Sequence, residues 1–409
     1  MVSFLKPANR TTGTVHIGFI CDEYPPAPHG GNGSLYSDLA EGLAAAGHRV
    51  TVVGIYSNNV LSGLNCQNLP NANPRVIRLK QSPDFLRYRP RAWWERYRLF
   101  QWLKREHKNT PFDVIEAPDY GGWLCFGGPK NVATVIRMGG SNLFFDTELG
   151  RKGDPFEHRL ELLSVAKATH LGAVSGYCAR RTLEFCRLPE RSCHIVYNAV
   201  DTALFAPASE ATIEPGLVVF VNSLNPKKGV GELVEAMNIV CREHPSARLA
   251  VIGQDTQKKE GGLSYVEQLQ QKVRPEFRDR VLFTGRLGRH QGVLDYLRRA
   301  QVCCYPSHME TFGIAPIEAM AMGKATIYSR TGPGPEVIED NVSGLLCNPK
   351  DPNDIAAKIL LLLKDDSLNH RLGANARKRV MAMFDKSKWI QKNIEFFQQC
   401  LSPGNGTPA

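Results

Sequence analysis

The stretch 310–321, Glu-Thr-Phe-Gly-Ile-Ala-Pro-Ile-Glu-Ala-Met-Ala, places two carboxylates, Glu310 and Glu318, eight positions apart. Pro316 lies between them. Proline suits the first turn of a helix, because the N–H that it lacks would have no partner there. The stretch therefore predicts a helix that starts within 315–322, with Glu310 in the loop before it and Glu318 one turn inside it.

An apolar run and a loop precede this helix. Residues 302–305, Val-Cys-Cys-Tyr, are typical of a buried strand end, and 306–314 form the loop that follows. The backbone N–H groups of Gly313, Ile314 and Ala315 would then point out of the helix N-terminus, which favours phosphate. A phosphate site flanked by two carboxylates suits a nucleotide sugar. The alternative is an amphipathic helix with two surface glutamates.

This element resembles the Glu-x7-Glu element of the retaining glycosyltransferases of family 4, also called glycosyltransferase group 1. The resemblance implies the GT-B fold, which is α/β with two Rossmann-like domains facing across a cleft. It implies that Glu310 contacts the donor sugar and favours charge at the anomeric carbon, and that Glu318 binds the ribose. It also implies that the anomeric configuration is retained.

Length and composition limit the classes of protein. The chain has 409 residues, which predicts two or three domains, and 43% hydrophobic residues suffice for their cores. It contains no 18-residue apolar window, no signal-peptide core and no CxxC pair among its 11 cysteines, a pattern typical of a cytoplasmic protein. The formal charge of +10 suits nucleic acid, an anionic membrane or phosphate-rich ligands. Since no nucleic-acid motif is visible, we expect one of the last two.

The first half of the chain begins with a βαβ unit. Residues 15–20 predict a strand, 24–34 a loop rich in proline and glycine, 35–46 a helix and 50–55 a second strand. A dinucleotide site is disfavoured, because the glycines do not have the G-x-G-x-x-G spacing and no acidic residue closes the second strand. The loop resembles the glycine loop of the transferases, in which Gly31 would let the backbone approach the donor. A plain turn is the alternative.

Candidate acceptor residues follow two later strands. Glu116 and Asp119 come at the end of a strand predicted at 112–116, and Arg137 ends the next predicted strand. They are candidates because ligands gather at the carboxyl ends of strands in open α/β sheets. A structural role for Arg137 is the alternative. Relatives commonly carry a histidine in the loop after Arg137, where this chain has Gly139, and we assign no catalytic histidine.

The second half repeats the pattern after a linker at 206–215. A strand at 217–221 leads to Lys228, which a glycine follows, as in the family pattern, and a lysine there can bind a diphosphate. The arginine that relatives carry nearby is Ser223 here, so that Lys227 is a candidate for its role. A solvated Lys-Lys pair is the alternative. By resemblance, the backbone near Leu287 would meet the nucleobase. Further strands are predicted at 248–252, 281–287, 325–329 and 345–347.

The predicted domains follow from these boundaries. They are a flexible lead at 1–13, an N-terminal acceptor domain at 14–205, the linker at 206–215, a C-terminal nucleotide-sugar domain at 216–384, a helix at 385–401 that crosses back to the first domain, and a flexible tail at 402–409. Neither a metal motif nor a cofactor motif is visible, so the leaving diphosphate is expected to be stabilised by protein groups alone.

Residues 84–108 interleave basic and aromatic side chains, the composition of interfacial helices. We expect them to touch an anionic membrane or a lipid-linked acceptor, with the protein peripheral on the inner face of the membrane. The alternative is that the aromatic face packs on the sheet of the first domain and that the arginines are solvated. The basic residues are Arg87, Arg89, Arg91, Arg96, Arg98, Lys104, Arg105 and Lys108, and the aromatic ones are Tyr88, Trp93, Trp94, Tyr97, Phe100 and Trp102.

The expected function is metal-independent transfer of a sugar from a nucleotide-diphosphate sugar to a glycan, lipid-linked or small-molecule acceptor. Two other classes stay open. Gly139 and Ser223 allow a binding or regulatory protein that has kept the fold and lost catalysis. A sugar epimerase or a phosphorylase on the same fold is the third class, and a phosphorylase would require free phosphate.

Overall fold

The computed structural model describes residues 13–28, 30–64, 72–82, 88–208, 212–256 and 262–402. This part of the chain forms two units, each around one parallel β-sheet. The predicted α/β fold with two Rossmann-like domains is confirmed. The first unit contains the residues up to Val174, Ala179–Val196 and the residues from Ile390; the second contains Ser175–Cys178 and Tyr197–Trp389.

The sheet of the first unit has seven strands. They are β1 (His16–Ile20), β2 (Arg49–Tyr56), β3 (Arg75–Lys80), β4 (Val114–Pro118), β5 (Ala133–Met138), β6 (His170–Ala173) and β7 (His194–Ile195). The strand order is β3-β2-β1-β4-β5-β6-β7, and β1 pairs in parallel with both β2 and β4. The helices of this half of the chain are α1 (Gly31–Ala45), α2 (Asn58–Gly63), α3 (Tyr88–Asn109), α4 (Asn142–Glu148), α5 (Pro155–Lys167) and α6 (Gly176–Phe185).

The sheet of the second unit has six strands. They are β8 (Leu217–Val221), β9 (Arg248–Ile252), β10 (Val281–Gly285), β11 (Val302–Tyr305), β12 (Ala325–Ser329) and β13 (Leu345–Cys347), in the order β10-β9-β8-β11-β12-β13. The helices that follow are α7 (Val230–Glu243), α8 (Tyr265–Lys272), α9 (Leu294–Arg299), α10 (Ile314–Ala321), α11 (Gly334–Val337), α12 (Pro352–Lys364), α13 (Asp366–Met383) and α14 (Lys386–Leu401).

Both sheets share the Rossmann order, in which the direction of strand addition reverses once. The reversal falls between β1 and β4 in the first unit and between β8 and β11 in the second. Strands β1, β4 and β11 are buried along their whole length, as expected for parallel strands covered by helices on both faces. Ligands of such sheets bind outside the carboxyl ends of the strands at the reversal, so each unit has one such switch point.

Some predicted boundaries shift. Helix α1 begins at Gly31, four residues before the predicted 35, because the Glu23 carboxylate accepts hydrogen bonds from Gly30 N (2.9 Å) and Gly33 N (2.7 Å). Strand β4 lies at Val114–Pro118, two residues later than predicted. Helix α3 begins at Tyr88, inside the segment 84–108.

Among the compact units, the chain passes from the first to the second between Val196 and Tyr197, and the division at 205/206 stays a prediction. The reason is packing inside the second unit: the Tyr197 ring lies 5.8 Å from that of Phe312 and 5.5 Å from that of Phe384. Arg377 also donates to the carbonyl of Phe205 at 2.9 Å. The residues from Ile390 onward in α14 belong to the first unit, where Phe397 lies 6.2 Å from Phe19.

No helix in the described ranges is long and apolar enough to cross a membrane. Of the predicted lead at 1–13 and tail at 402–409, the structure describes only Gly13 and Ser402, and the other residues lie outside the described ranges.

Candidate functional site

The switch point of the second unit is formed by the loops after β8 and β11. Gly229 makes their close approach possible: its φ is +67°, and a Cβ there would lie 1.7 Å from the carbonyl oxygen of Pro306. His308 N and Met309 N donate to the carbonyl of Lys227 at 2.9 and 3.2 Å. The glycine after Lys228 is thus needed to bring the two loops together.

These loops bring Lys228 and Glu310 into contact. Lys228 Nζ donates to Glu310 Oε1, and the two side chains are only 12% and 13% exposed. Ser307 Oγ donates to the same oxygen at 3.4 Å. A cation and a carboxylate therefore lie side by side, so that a ligand carrying both phosphate and hydroxyl groups can contact both.

The N-terminus of α10 lies next in the chain. Its N-cap residue is Gly313, with φ 91° and ψ 95°, and a Cβ there would lie 2.3 Å from Tyr328 Oη. Among the described residues, no side chain caps this end. The phosphate role of the N–H groups of Gly313, Ile314 and Ala315 stays a prediction. Phe312, 1% exposed, anchors the loop against Phe384 with ring centroids 5.5 Å apart.

Two further predicted donor residues are Glu318 and Leu287. Glu318 lies on α10 and is 5% exposed. Leu287 follows β10, which β9 and β8 separate from β11 in the sheet. The ribose role of Glu318 and the nucleobase role of Leu287 stay predictions.

In the first unit, the glycine loop is held by its own chain. The Glu23 carboxylate occupies the N-terminus of α1 through the N–H groups of Gly30 and Gly33. A Cβ at Gly31 would meet nothing within 4 Å, so the space above it is open. Glu23 was not identified from the sequence, although its position shortly before a glycine-rich helix start is a usable signal. The donor role of Gly31 stays a prediction.

The acceptor interpretation of Glu116 and Arg137 is wrong. The two side chains are 0% and 2% exposed and form a two-point ion pair, with Nε–Oε1 2.6 Å and Nη2–Oε2 2.9 Å. Arg137 Nη2 also donates to Asn393 Oδ1 at 2.7 Å. Burial alone would lower the pKa of Arg137, but Glu116 raises it overall. Both groups are closed to a substrate and join β4, β5 and α14.

Asp119 is also closed to a substrate, with 1% of it exposed. Its carboxylate accepts from Gly139 N at 3.1 Å and Gly140 N at 3.2 Å, so it holds the loop after β5. Burial raises the pKa of Asp119 to about 7 despite these bonds. Its predicted direct contact with the acceptor is therefore corrected to a scaffolding role.

Glu161 is a second buried scaffold that sequence reasoning missed. It is 1% exposed and accepts from Gly121 N at 3.0 Å, Asn142 N at 3.1 Å and Leu143 N at 2.9 Å. It therefore ties the loop after β4 to the start of α4. Nothing in the sequence distinguishes it from an ordinary helix glutamate.

Helix α3 divides into a packed part and an exposed part. The rings of Trp93, Tyr97 and Phe100 lie 5.0, 5.7 and 6.1 Å from the ring of Phe126, which lies in the loop between β4 and β5 and not in the sheet. Trp93 and Trp94 remain 47% and 44% exposed.

The predicted membrane contact is wrong for Arg96, which is 7% exposed. It donates to the carbonyl of Gly121 at 2.7 Å and lies 4.5 Å over the Trp123 ring. Residues 84–87 of the predicted segment lie outside the described ranges.

The described residues contain no group of three or more His, Cys, Asp or Glu side chains arranged to hold a metal ion.

Comparison with known families assigns the class. Residues 29–204 match the family described as Glycosyltransferase Family 4, and residues 206–379 match Glycosyl transferases group 1. The two ranges follow one another and take in most of the chain. The chain belongs to the group 1 glycosyltransferases.

Individual relatives are similar to this chain over nearly its whole length. An uncharacterized glycosyltransferase of Methanocaldococcus jannaschii is 26% identical over 396 residues, which are 91% of this chain and 94% of that protein. Sucrose-phosphate synthase from Thermosynechococcus elongatus superposes with a TM-score of 0.76 at 23% identity, over 94% of this chain and 98% of that one. Anabaena HepE, solved with UDP and glucose, gives a TM-score of 0.69 at 18% identity, over 94% and 100%. These structural likenesses show the GT-B fold.

Proposed function

We propose that this chain is a retaining, metal-independent hexosyltransferase. It would move the sugar of a nucleotide-diphosphate sugar to a hydroxyl of a glycan, lipid-linked or small-molecule acceptor. The observation that carries the proposal is the Lys228–Glu310 pair beside the N-terminus of α10, at the switch point of the second unit. The presence of UDP and glucose in the HepE structure supports this class of donor.

Each group of the pair has a role in breaking the bond between the sugar and the diphosphate. Lys228 and the N–H groups of Ile314 and Ala315 would bind the phosphates and stabilise the negative charge that grows on the leaving oxygen. Glu310 would hold sugar hydroxyls and stabilise positive charge at the anomeric carbon. The acceptor hydroxyl would attack from the face that the diphosphate leaves, and its proton would pass to that leaving group.

Lys228 and the α10 N-terminus supply positive charge where other transferases use a divalent cation, and this supports metal independence. Glu318, on the same helix, would bind the ribose, and the backbone near Leu287 would meet the nucleobase.

The test is a panel of UDP-, GDP- and ADP-sugars, with binding measured by calorimetry and turnover by release of the nucleoside diphosphate. We expect one donor to bind and turn over, at the same rate with EDTA as with Mg²⁺. Proton NMR of the first product should show the anomeric configuration of the donor. Inversion would contradict the retaining mechanism, loss of activity in EDTA would contradict metal independence, and failure of every donor would overturn the proposal.

A donor-binding protein without transferase turnover is the second candidate, and the residues Gly139 and Ser223 favour it. Ser223 supplies only a hydroxyl, which accepts from Asn225 Nδ2 at 3.1 Å. The same panel separates the two candidates: micromolar donor binding with no hydrolysis and no transfer would identify the binding protein.

The exposed end of α3 supports a proposal on membrane contact. Trp93 and Trp94 line a shallow hollow with Arg89, Pro90 and Phe156, and the side chain of Arg89 is 62% exposed. Exposed tryptophans beside arginine suit the headgroup region of an anionic membrane. We expect the protein to sediment with anionic vesicles at low salt and to release at high salt.

The variant for this test is Trp93→Ala/Trp94→Ala, which should abolish sedimentation. Leu282→Ala is its control, because Leu282 is an equally exposed apolar residue of the second unit, at 52%. Binding that is independent of lipid charge and salt, or no binding, would leave α3 as a packing element only.

A further inference from the structure

The switch point of the first unit carries two polar side chains that the proposed mechanism does not use. Asp22 is the second residue after β1, and Tyr120 is the second residue after β4. Strands β1 and β4 are neighbours in the sheet, paired from Ile17↔Val114 to Phe19↔Glu116. Their carboxyl ends form the crevice where open α/β sheets bind ligands.

The backbone around Asp22 is fixed by the neighbouring strand. Cys21 N donates to Val53 O at 2.9 Å, and Tyr56 Oη donates to the Cys21 carbonyl at 2.9 Å. Gly54 makes this approach possible, because a Cβ there would lie 2.8 Å from Asp22 Cα and 2.0 Å from the Cys21 carbonyl oxygen. The position of Asp22 is therefore determined by the fold and not by a free loop.

Three other carboxylates at this edge of the sheet are bound to backbone N–H groups, and a fourth, Glu157, lies 3.8 Å from the Arg96 guanidinium. Glu23 holds the start of α1, Asp119 holds the loop after β5, and Glu161 holds the loop after β4. In the described part of the chain, no other residue donates a hydrogen bond to the Asp22 carboxylate. Asp22 is thus the carboxylate of this edge that is left to receive a donor from a ligand.

Electrostatics agree with a ligand role. Burial raises the pKa of Asp22 to about 6, with a further increase from Glu23 that Arg96 partly offsets. Arg96 is itself bonded to the carbonyls of Gly121 and Ala92. Burial and the nearby Asp22 raise the pKa of Tyr120, so its hydroxyl stays protonated, and the residue is 41% exposed. The crevice therefore offers a carboxylate acceptor beside a hydroxyl donor.

We propose that Asp22 and Tyr120 bind hydroxyl groups of the acceptor, and that this acceptor is a neutral carbohydrate or polyol. The proposal rests on the transferase function proposed above. Asp22 accepts a hydrogen bond from an acceptor hydroxyl, and Tyr120 donates one to a neighbouring oxygen. A phosphate or carboxylate at the same place would be repelled by Asp22. Both residues are binding residues for the acceptor, while the donor groups are in the second unit.

The experiment measures acceptor and donor binding separately, on the full chain, by NMR and calorimetry. The acceptor probes are the methyl α-glycosides of glucose, mannose, galactose and N-acetylglucosamine, together with myo-inositol. We expect saturable binding of at least one probe by the wild type. Affinity for that probe should fall at least tenfold in Asp22→Asn and two- to fivefold in Tyr120→Phe, while donor affinity stays unchanged in both.

Asp38→Asn is the matched control, since Asp38 is exposed on α1 of the same unit. Tyr120→Phe keeps the test valid if Asp22→Asn misfolds, because Tyr120 is a surface residue. Failure of every probe to bind saturably, or equal probe affinity in Asp22→Asn, Tyr120→Phe and wild type, overturns the inference. Failure of the wild type to bind any nucleotide sugar would instead overturn the proposed function, so the two failures are distinguishable.

Discussion

The two switch points of this chain lie at the same place in two sheets of the same strand order, yet they present different chemistry. In the second unit, Lys228 and Glu310 contact each other beside a helix N-terminus that no side chain of the described residues caps. In the first unit, the equivalent helix α1 is capped by Glu23, and Asp119 holds the next glycine loop. Backbone N–H groups are thus left for a ligand in one unit and satisfied by the protein in the other.

The difference separates two kinds of ligand. Unpaired N–H groups and a lysine favour phosphate, while side-chain oxygens favour hydroxyl groups. In the proposed function, the same fold serves as an anion site or as a hydroxyl site, and the difference is whether an acidic side chain reaches the helix N-terminus. Charges in the first unit should accordingly affect stability or acceptor binding, and charges in the second unit should affect the donor.

The largest expected effect is on stability, from Arg137→Met in the first unit. It leaves Glu116 buried without its cation, which should destabilise the fold by about 3–5 kcal/mol in urea unfolding. The double variant Glu116→Gln/Arg137→Met should recover much of this loss, because no charge is left unpaired. Arg180→Met, at an exposed position of α6, is the control. A stable Arg137→Met with weakened acceptor binding would return Arg137 to the acceptor site.

The next effect is on turnover, from Glu310→Gln in the second unit. We expect kcat to fall roughly 10²–10³-fold, the range found when one group that stabilises transition-state charge is removed. The melting temperature should fall only modestly, because the glutamine oxygen can still accept the hydrogen bond from Lys228. Glu339→Gln makes the same chemical change on a side chain that is 61% exposed and should leave kcat intact. Unfolding of Glu310→Gln at ordinary temperature would make Glu310 a structural residue.

The contrast between the units also marks what the sequence could predict. Strands β8, β9, β12 and β13 lie at the predicted residues, because each is a short apolar run between polar segments. The sequence identifies Glu310 and Lys228 as candidates because neighbouring residues mark them. A helix start that contains a proline follows Glu310, and a glycine follows Lys228. Their contact joins loops 82 positions apart and depends on Gly229 approaching Pro306, which no local pattern shows.

In the first unit, the same reasoning failed for Glu116 and Arg137. A charged residue at the end of an apolar strand has the same sequence context whether it faces a ligand or a buried partner. The register of the two strands decides which of these applies. Arg137 on β5 lies opposite Pro118 on β4, and its side chain reaches back to Glu116, also on β4. Asp22 was overlooked because a single aspartate after a strand is common, and its relation to Tyr120 requires the strand order.

A third prediction concerns donor affinity and uses Lys228→Ala. The lost charge-assisted contact should weaken donor binding by about 1.5–3 kcal/mol in calorimetry. Acceptor binding should not change, because the proposed acceptor groups, Asp22 and Tyr120, lie in the first unit. Lys272→Ala is a suitable comparison, since Lys272 forms an exposed ion pair with Glu235. Equal weakening of donor and acceptor would count against a phosphate role for Lys228.

A fourth prediction concerns the pH dependence of stability. The pKa of Asp22 is about 6 in the folded chain, against an ordinary value of 3.8 for an aspartate in water. Below pH 3.8 the group is protonated in both the folded and the unfolded state and has no effect, whereas above pH 6 its ionisation destabilises the folded state. The free energy of unfolding of Asp22→Asn should therefore exceed that of wild type by about 1–3 kcal/mol at about pH 8. At about pH 3.5 the two should be equal. The opposite trend in urea unfolding would show that Asp22 is held by a cation.

The smallest expected effect is that of Gly139→His, which places the residue common among relatives in the loop after β5. A Cβ at Gly139 would lie 3.9 Å from Asn32 Oδ1 and from Val174 Cγ1, which is ordinary contact, and the backbone is not left-handed there. Stability should therefore change by less than about 1 kcal/mol in urea unfolding. Gly313→Ala provides the contrast in the second unit, since its Cβ would lie 2.3 Å from Tyr328 Oη at a φ of +91°.

The same Gly139→His variant also tests which ligand the loop after β5 serves. If Gly139 borders the proposed acceptor crevice, the imidazole should change the affinity for the polyol probe and leave the donor affinity unaltered. A change in donor affinity alone would show that this loop serves the donor, and the separation between the two switch points would then be wrong.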